Sequence, residues 1–214
     1  MLYPILEAVA HCPEIFLQMN PDNSKPLSAF GFLTVLEDPL HGFFGGYLVL
    51  SDLGRPLEFH CCTPVLPNEA QKILYGTSLR PYVLGEIIGQ TLVSKGQLAV
   101  QAVLTDLEEI LSLALFRDDP IICLTPSEPA SPAATAHADN SQPSVPELSI
   151  GNYRLFGTST CSWQPEQLRE SLAPLCSHVD LSEPFQRIRE AICEAQRISE
   201  HRQTDDSYDS SAAA

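Results

Sequence analysis

Basic residues are scarce in this chain of 214 residues, which has 12 Lys and Arg against 27 Asp and Glu and a formal net charge of −15. Non-specific affinity for nucleic acid comes from Lys and Arg side chains that neutralise phosphates. No cluster of basic residues compensates for their low number. The composition therefore disfavours nucleic acid as a partner.

Long apolar runs are also absent, since no window approaches the roughly 18 apolar residues that indicate a membrane span. The N-terminal sequence has no basic segment before its apolar stretch, which disfavours a signal peptide. The seven cysteines show no Cys-x-x-Cys spacing, which disfavours a zinc site. We expect no membrane partner and a cytoplasmic protein with reduced, mostly buried thiols.

What the chain does contain is a series of β-rich apolar runs near its beginning. Three of them cover residues 30–36, 47–50 and 57–61. The spacer between the second and third runs is Ser-Asp-Leu-Gly-Arg-Pro, which is typical of a turn. Runs joined by such short spacers predict a three-stranded antiparallel meander.

Helical signals follow the meander. Asn68 is a predicted N-cap for a short helix over 69–75. Apolar residues spaced by three and four predict a longer helix over 80–95.

Strand and helix signals then alternate. A buried strand is predicted over 98–104, and Thr105-Asp106-Leu107-Glu108 has the pattern of a capping box that opens another helix. A short apolar run over 121–124 predicts a further strand. The whole pattern predicts an α/β protein with a mixed sheet, in which helix, strand, helix and strand follow the meander.

Composition changes at residue 125, where a stretch with five prolines and many Ser and Ala residues begins. This stretch predicts a flexible linker or long loop. The predicted divisions are an α/β core domain over 1–124, a linker over 125–148, a small mostly helical region over 149–202 and a disordered acidic tail over 203–214. Two short elements are expected within residues 1–28.

A second amphipathic helix is predicted near the C-terminus, over 182–197. It starts at Ser182-Glu183-Pro184 and carries an apolar stripe that includes Phe185, Ile188 and Ile192. The stripe has two interpretations: it covers the protein's own core, or it binds a protein partner.

The order of elements between about residues 29 and 124 resembles that of the ribonuclease H-like superfamily. Gly45-Gly46-Tyr47, which leads into the second strand, and Val103-Leu104-Thr105-Asp106, which ends the fourth, look like that family's counterparts. The resemblance implies a site in which carboxylates hold two divalent cations, Mg²⁺ or Mn²⁺, for phosphodiester hydrolysis.

The resemblance assigns catalytic and metal-binding roles to Glu86, on the long helix, and to Asp106, at the end of the fourth strand. The first run, 30–36, contains no carboxylate, and Glu37 or Asp38 just beyond it would have to supply the third ligand. Each candidate also has a plain structural interpretation. An acid in the first turn of a helix is stabilised by the helix dipole without any metal.

Because no carboxylate lies on the predicted first strand, the main functional prediction is a non-enzymatic protein-interaction or scaffold protein without a cofactor. Its protein partner would bind through the helix over 182–197. The alternative prediction is a phosphodiesterase or nuclease of ribonuclease H-like type that depends on Mg²⁺ or Mn²⁺ and uses Glu86, Asp106 and one of Glu37 or Asp38.

Overall fold

A seven-stranded mixed sheet forms the centre of the protein, with strand order β3-β2-β1-β4-β5-β7-β6. The computed structural model describes residues 28–127, 146–159 and 163–209, with side chains of the last helix as far as Arg197. The two elements predicted within residues 1–28, and most of the predicted linker, lie outside the described residues. The strands are β1 Ala29–Asp38, β2 Gly42–Ser51, β3 Pro56–Cys61, β4 Val103–Thr105, β5 Ile121–Pro126, β6 Glu147–Ile150 and β7 Tyr153–Phe156.

The predicted meander is confirmed, since β1 pairs antiparallel with β2 and β2 with β3. The pairing of β1 with β2 continues to the last residue of each strand, with Glu37 opposite Phe43 and Asp38 opposite Gly42. A tight turn closes the hairpin, and Gly42 adopts a φ of 92° that other residues rarely take. Glu37 and Asp38 therefore belong to β1, although the sequence pattern ended this strand at residue 36.

Two further strands, β4 and β5, run parallel to β1. β4 is shorter than the predicted strand over 98–104 and begins only at Val103. At the start of the predicted strand, the backbone N–H groups of Gln97 and Leu98 bind the side chain of Glu58 instead of a neighbouring strand. β1, β4 and β5 all end at the same side of the sheet. We call this side the carboxyl edge. The architecture is α/β, in the ribonuclease H-like order predicted from the sequence.

The helices flank the sheet. The predicted cap of the first helix, α1 Glu69–Tyr75, is confirmed, because the side chain of Asn68 accepts from Gln71 N–H and the side chain of Gln71 accepts from Asn68 N–H. The predicted helix over 80–95 is also present, as a segment that we call α2. The bounds are α1 Glu69–Tyr75, α2 79–95 with a π-helical stretch Tyr82–Gly89, α3 Pro165–Cys176 and α4 Glu183–Asp209.

The predicted capping box at Thr105 is wrong. Thr105 is the last residue of β4, and its Oγ1 accepts from Leu107 N–H at 3.2 Å. The helix that follows is a 3-10 helix, Glu108–Leu115, and no side chain caps its N-terminus. The segment is tied to the end of a short strand, so it does not begin as the predicted α-helix.

Two neighbouring glycines let α2 and α4 lie close to opposite faces of the sheet. A Cβ atom on Gly45 would lie 2.1 Å from Cγ2 of Ile88 in α2. A Cβ atom on Gly46 would lie 2.3 Å from Cγ2 of Ile188 in α4. Successive residues of a strand point to opposite faces, so the two helices sandwich β2.

The apolar stripe of α4 is buried against the sheet. Phe185, Ile188 and Ile192 are almost fully inaccessible. The Phe185 ring packs edge-on against Phe32 of β1, with 5.5 Å between ring centroids. The first interpretation of the stripe is therefore confirmed. The expectation that it binds a protein partner is wrong, because its own sheet already covers it.

None of the helices within the described ranges combines the length and the apolar character that a bilayer crossing requires.

Candidate active site

Asp106 lies at the carboxyl edge, one residue beyond β4. The parallel register pairs Leu33 with Thr105, which places Asp106 beside Thr34 of β1. Thr34 is fully buried. The position on β1 next to Asp106 therefore carries a hydroxyl group rather than a carboxylate.

Arg189 of α4 reaches this position from one face of the sheet. Its Nη2 donates to Oδ2 of Asp106 and lies 3.4 Å from Oγ1 of Thr34. The side chain of Arg189 is 39% exposed, and that of Asp106 is 19% exposed. Oδ1 of Asp106 is buried and has no hydrogen-bond partner among the described residues. An ionised carboxylate accepts hydrogen bonds at both oxygens, so one acceptor of this group is unused.

Glu37 is also paired with an arginine. Arg80, in the first turn of α2, donates from Nη1 to Oε2 of Glu37 at 2.5 Å and from Nε to Oε1 of Glu109 at 3.0 Å. Partial burial disfavours the charged form of Glu109, but hydrogen bonds from its own backbone and from Arg80 lower its pKa on balance. Arg80 thus neutralises two carboxylates at once.

Asp38 has a structural role in the β1–β2 turn. Its Oδ1 accepts from the backbone N–H groups of His41 and Leu40, each at 2.8 Å, and lies 2.9 Å from Nδ1 of His41. These hydrogen bonds, led by that from the His41 backbone, lower the pKa of Asp38. The carboxylate is occupied by its own turn.

Glu86 is half-buried on α2, and its side chain makes no hydrogen bond to another residue of the described ranges. It lies close enough to Tyr82 to affect that phenol. Burial raises the pKa of Tyr82 to about 12, with smaller contributions from Tyr75 and from the charge of Glu86. Its helix packs on the face of the sheet opposite to α4, whereas Asp106 is held by α4.

The predicted carboxylates do not form a common cluster. Glu37 and Asp38 are adjacent on β1 and so point to opposite faces. Asp106 lies at the level of Thr34, and the three residues from Thr34 to Glu37 span about 10 Å along a strand. Among the described residues, no group of three or more His, Cys, Asp and Glu side chains could hold a metal ion.

The divalent cations implied by the resemblance therefore do not fit these residues as they lie. Mg²⁺ and Mn²⁺ need several oxygen ligands around one point. Here two of the carboxylates are instead paired with Arg80 and Arg189. The catalytic and metal-binding roles of Glu86, Asp106, Glu37 and Asp38 stay predictions.

Arg189, Arg80 and Thr34 were missed by sequence reasoning. Arg189 follows Ile188 directly, so it lies at the border of the apolar stripe, and Arg80 lies in the first turn of α2. A long cationic side chain at the border of a buried stripe can reach the edge of the sheet beneath. The position of Arg189 beside the stripe could have indicated such a contact. Its partner Asp106, however, lies 83 residues away in the sequence.

No family model matches this chain, and no curated protein matches it. The chain is similar to the crystal structure of Ciona intestinalis endonuclease V in complex with a 23mer DNA that contains an inosine followed by a ribo-adenosine. The similarity covers 90% of this chain and 94% of that chain, with 12% sequence identity and a TM-score of 0.47. A likeness of this size assigns no activity to this chain.

The finding nevertheless corrects two predictions made from the sequence. A neighbour that is an endonuclease in complex with DNA stands against a non-enzymatic interaction or scaffold protein, and against the exclusion of nucleic acid as a partner. We retain neither prediction. The net charge of −15 describes the whole chain, whereas binding depends on the groups at one site.

Proposed function

We propose that this protein binds nucleic acid and hydrolyses phosphodiester bonds at the carboxyl edge of its sheet. The proposal depends on one observation: Asp106, at the end of a parallel strand, has a buried oxygen without a partner among the described residues. Ligands of open α/β sheets bind outside the carboxyl ends of the strands. An unused acceptor at this place supports a catalytic role.

Asp106 supplies the base in this proposal. Its Oδ1 accepts a proton from the water that attacks the phosphorus, while Oδ2 remains hydrogen-bonded to Arg189. The P–O ester bond breaks, and the leaving oxygen takes a proton from solvent. The guanidinium of Arg189 adds positive charge next to the developing negative charge on the phosphoryl oxygens. The proposed reaction uses no resident metal, because the carboxylates of the described residues do not meet around a common point.

The substrate is a short or single-stranded nucleic acid in this proposal. The chain carries a net charge of −15, which repels a long duplex and restricts attraction to a few phosphates near the arginines of the carboxyl edge. Binding is therefore measured at low ionic strength.

The test is hydrolysis of labelled single- and double-stranded DNA and RNA oligonucleotides, with EDTA, Mg²⁺ or Mn²⁺ in separate reactions. We expect cleavage by the natural chain and a loss of about 100-fold or more in Asp106→Asn, since general bases contribute that much. Asp118→Asn is the matched control, because Asp118 is exposed in the turn before β5. Unchanged cleavage in Asp106→Asn, or no cleavage of any substrate, would overturn the proposal.

A cytoplasmic location is part of the same proposal. Three of the cysteines that the structure describes, Cys123, Cys176 and Cys193, carry free thiols. Free thiols are typical of a reducing compartment.

A further inference from the structure

Arg189 has donors that its own protein does not use. Only Nη2 contacts Asp106 and Thr34, and within the described part of the chain Nε and Nη1 have no hydrogen-bond partner. The side chain is 39% exposed, so these nitrogens can meet a ligand. A guanidinium presents its N–H groups in a rigid planar fork.

The position of Arg189 is fixed before any ligand arrives. The neighbouring Ile188 is fully buried against β2, which anchors this turn of α4. The hydrogen bond to Asp106 then sets the direction of the guanidinium. Little side-chain freedom remains to be lost when a ligand binds, which favours affinity.

Arg187, on the same helix, provides a contrast. Its Nε donates to Oε1 of Glu183 at 2.6 Å, and its Nη1 donates to the carbonyl oxygen of Gly54 at 3.1 Å. The corresponding nitrogens of Arg187 are therefore occupied by the helix and by the β2–β3 turn. The two arginines differ in the donors that remain for a ligand.

We infer that Arg189, oriented by Asp106 and Thr34, is the phosphate-binding residue of the carboxyl edge and that it binds phosphate without a divalent cation. Arginine forms strong, two-pronged hydrogen bonds to phosphate oxygens and remains charged at every physiological pH. Asp106 acts on this binding as a positioning residue.

The same arrangement disfavours a metal ion. A divalent cation bound to Asp106 would lie next to the guanidinium that already contacts Oδ2. Like charges at such a distance repel one another. The positive charge of the site therefore comes from Arg189 of α4 and not from a cation bound from solution. This inference rests on the proposed function and names the group that recognises the substrate's phosphate.

The test is fluorescence anisotropy with a fluorescein-labelled short single-stranded DNA, at low salt and in EDTA. We expect saturable binding by the natural chain and competition by inorganic phosphate. Arg189→Gln should weaken binding about tenfold or more, the size of a lost charge-assisted hydrogen bond. Arg187→Gln should stay within about twofold, because its nearest donors face its own chain.

A second variant keeps the test decisive if Arg189→Gln does not fold, as judged by circular dichroism. Arg189→Lys keeps the charge but loses the planar fork, so we expect it to bind more weakly than the natural chain. Calorimetric titration with Mn²⁺ should give no saturable site in the natural chain. The inference would be overturned if both Arg189 variants bound DNA as tightly as the natural chain does. It would also be overturned if binding required Mn²⁺ and was lost in Asp106→Asn.

The outcomes separate this inference from the proposed function. If binding depends on Arg189 but the oligonucleotide is not cleaved, the proposed hydrolysis is contradicted and the inferred phosphate binding is supported. If cleavage depends on Asp106 but binding is unchanged in the Arg189 variants, only the present inference is contradicted. No binding by the natural chain under any condition would sink both.

Discussion

The carboxylate of Glu58 and the imidazole of His60 lie on the same face of β3, with 2.5 Å between Oε1 and Nε2, and both side chains are buried. Glu58 also accepts from Gln97 N–H at 2.8 Å and from Leu98 N–H at 3.2 Å. It therefore joins the edge strand of the meander to the segment that follows α2.

Replacing Glu58 with Ala should lower the free energy of unfolding by about 3 kcal/mol, because the buried imidazole of His60 and the N–H groups of Gln97 and Leu98 would lose this partner. Urea denaturation at constant pH measures the loss. Glu69→Ala is the control, since the Glu69–Lys72 pair is exposed and should contribute less than about 1 kcal/mol. Similar losses in both variants would contradict the structural role of Glu58.

Replacing Gly46 with Ala should separate α4 from the sheet. The new Cβ would overlap Cγ2 of Ile188, and overpacking of this kind costs about 1–3 kcal/mol. Because the overlap requires the isoleucine, Gly46→Ala should cost less when Ile188 is already Ala. A double-mutant cycle by urea denaturation tests this, and strictly additive losses would exclude the contact.

Thiol reactivity should differ between Cys123 and Cys193. Burial and the nearby carboxylates of Glu108 and Asp106 raise the pKa of the Cys123 thiol to about 12. At pH 8 its reactive thiolate is therefore rare, and the thiol is also inaccessible, whereas Cys193 is exposed. Iodoacetamide labelling followed by peptide mass spectrometry should detect modification at Cys193 well before Cys123. Comparable rates in the folded protein would contradict the packing around β5.

The pH dependence of stability should report on Asp180 at the start of α4. Hydrogen bonds from the hydroxyl of Tyr153 and from Ser182 lower the pKa of Asp180. Because the folded value lies below the unfolded value of about 4, its contribution is complete above that pH and is lost as the pH falls further. Asp180→Asn should lack this decline.

Urea midpoints measured from pH 5 downwards check the prediction for Asp180. Asp118→Asn is the control and should keep the slope of the natural chain, because Asp118 lies exposed in a turn. If Asp180→Asn lost stability on acidification as steeply as the natural chain, another carboxylate would be responsible.

Local patterns predicted the fold well where the interactions are themselves local. The cap formed by Asn68 and Gln71 and the apolar stripe of α4 follow from residues three and four apart, which share one helix face. The meander followed from short spacers between β-rich runs. Such signals lie within a few residues and need no knowledge of the rest of the chain.

Contacts between distant parts of the chain could not be predicted from the sequence. The strand over 98–104 was predicted too long because nothing near Gln97 indicates that Glu58, 39 residues earlier, binds its backbone. The candidate site was incomplete for the same reason. Asp106 and Glu86 were found by position, but the arginines that neutralise Asp106 and Glu37 come from other helices.

The contact between Arg189 and Asp106 also has a consequence for synthesis of the protein. All strands of the sheet precede α4 in the chain, so a growing polypeptide carries Asp106 long before the ribosome has made Arg189. Until α4 docks, that aspartate faces solvent without its counter-charge. The pair of Arg189 and Asp106 is thus completed last, and a fragment released before α4 would lack it.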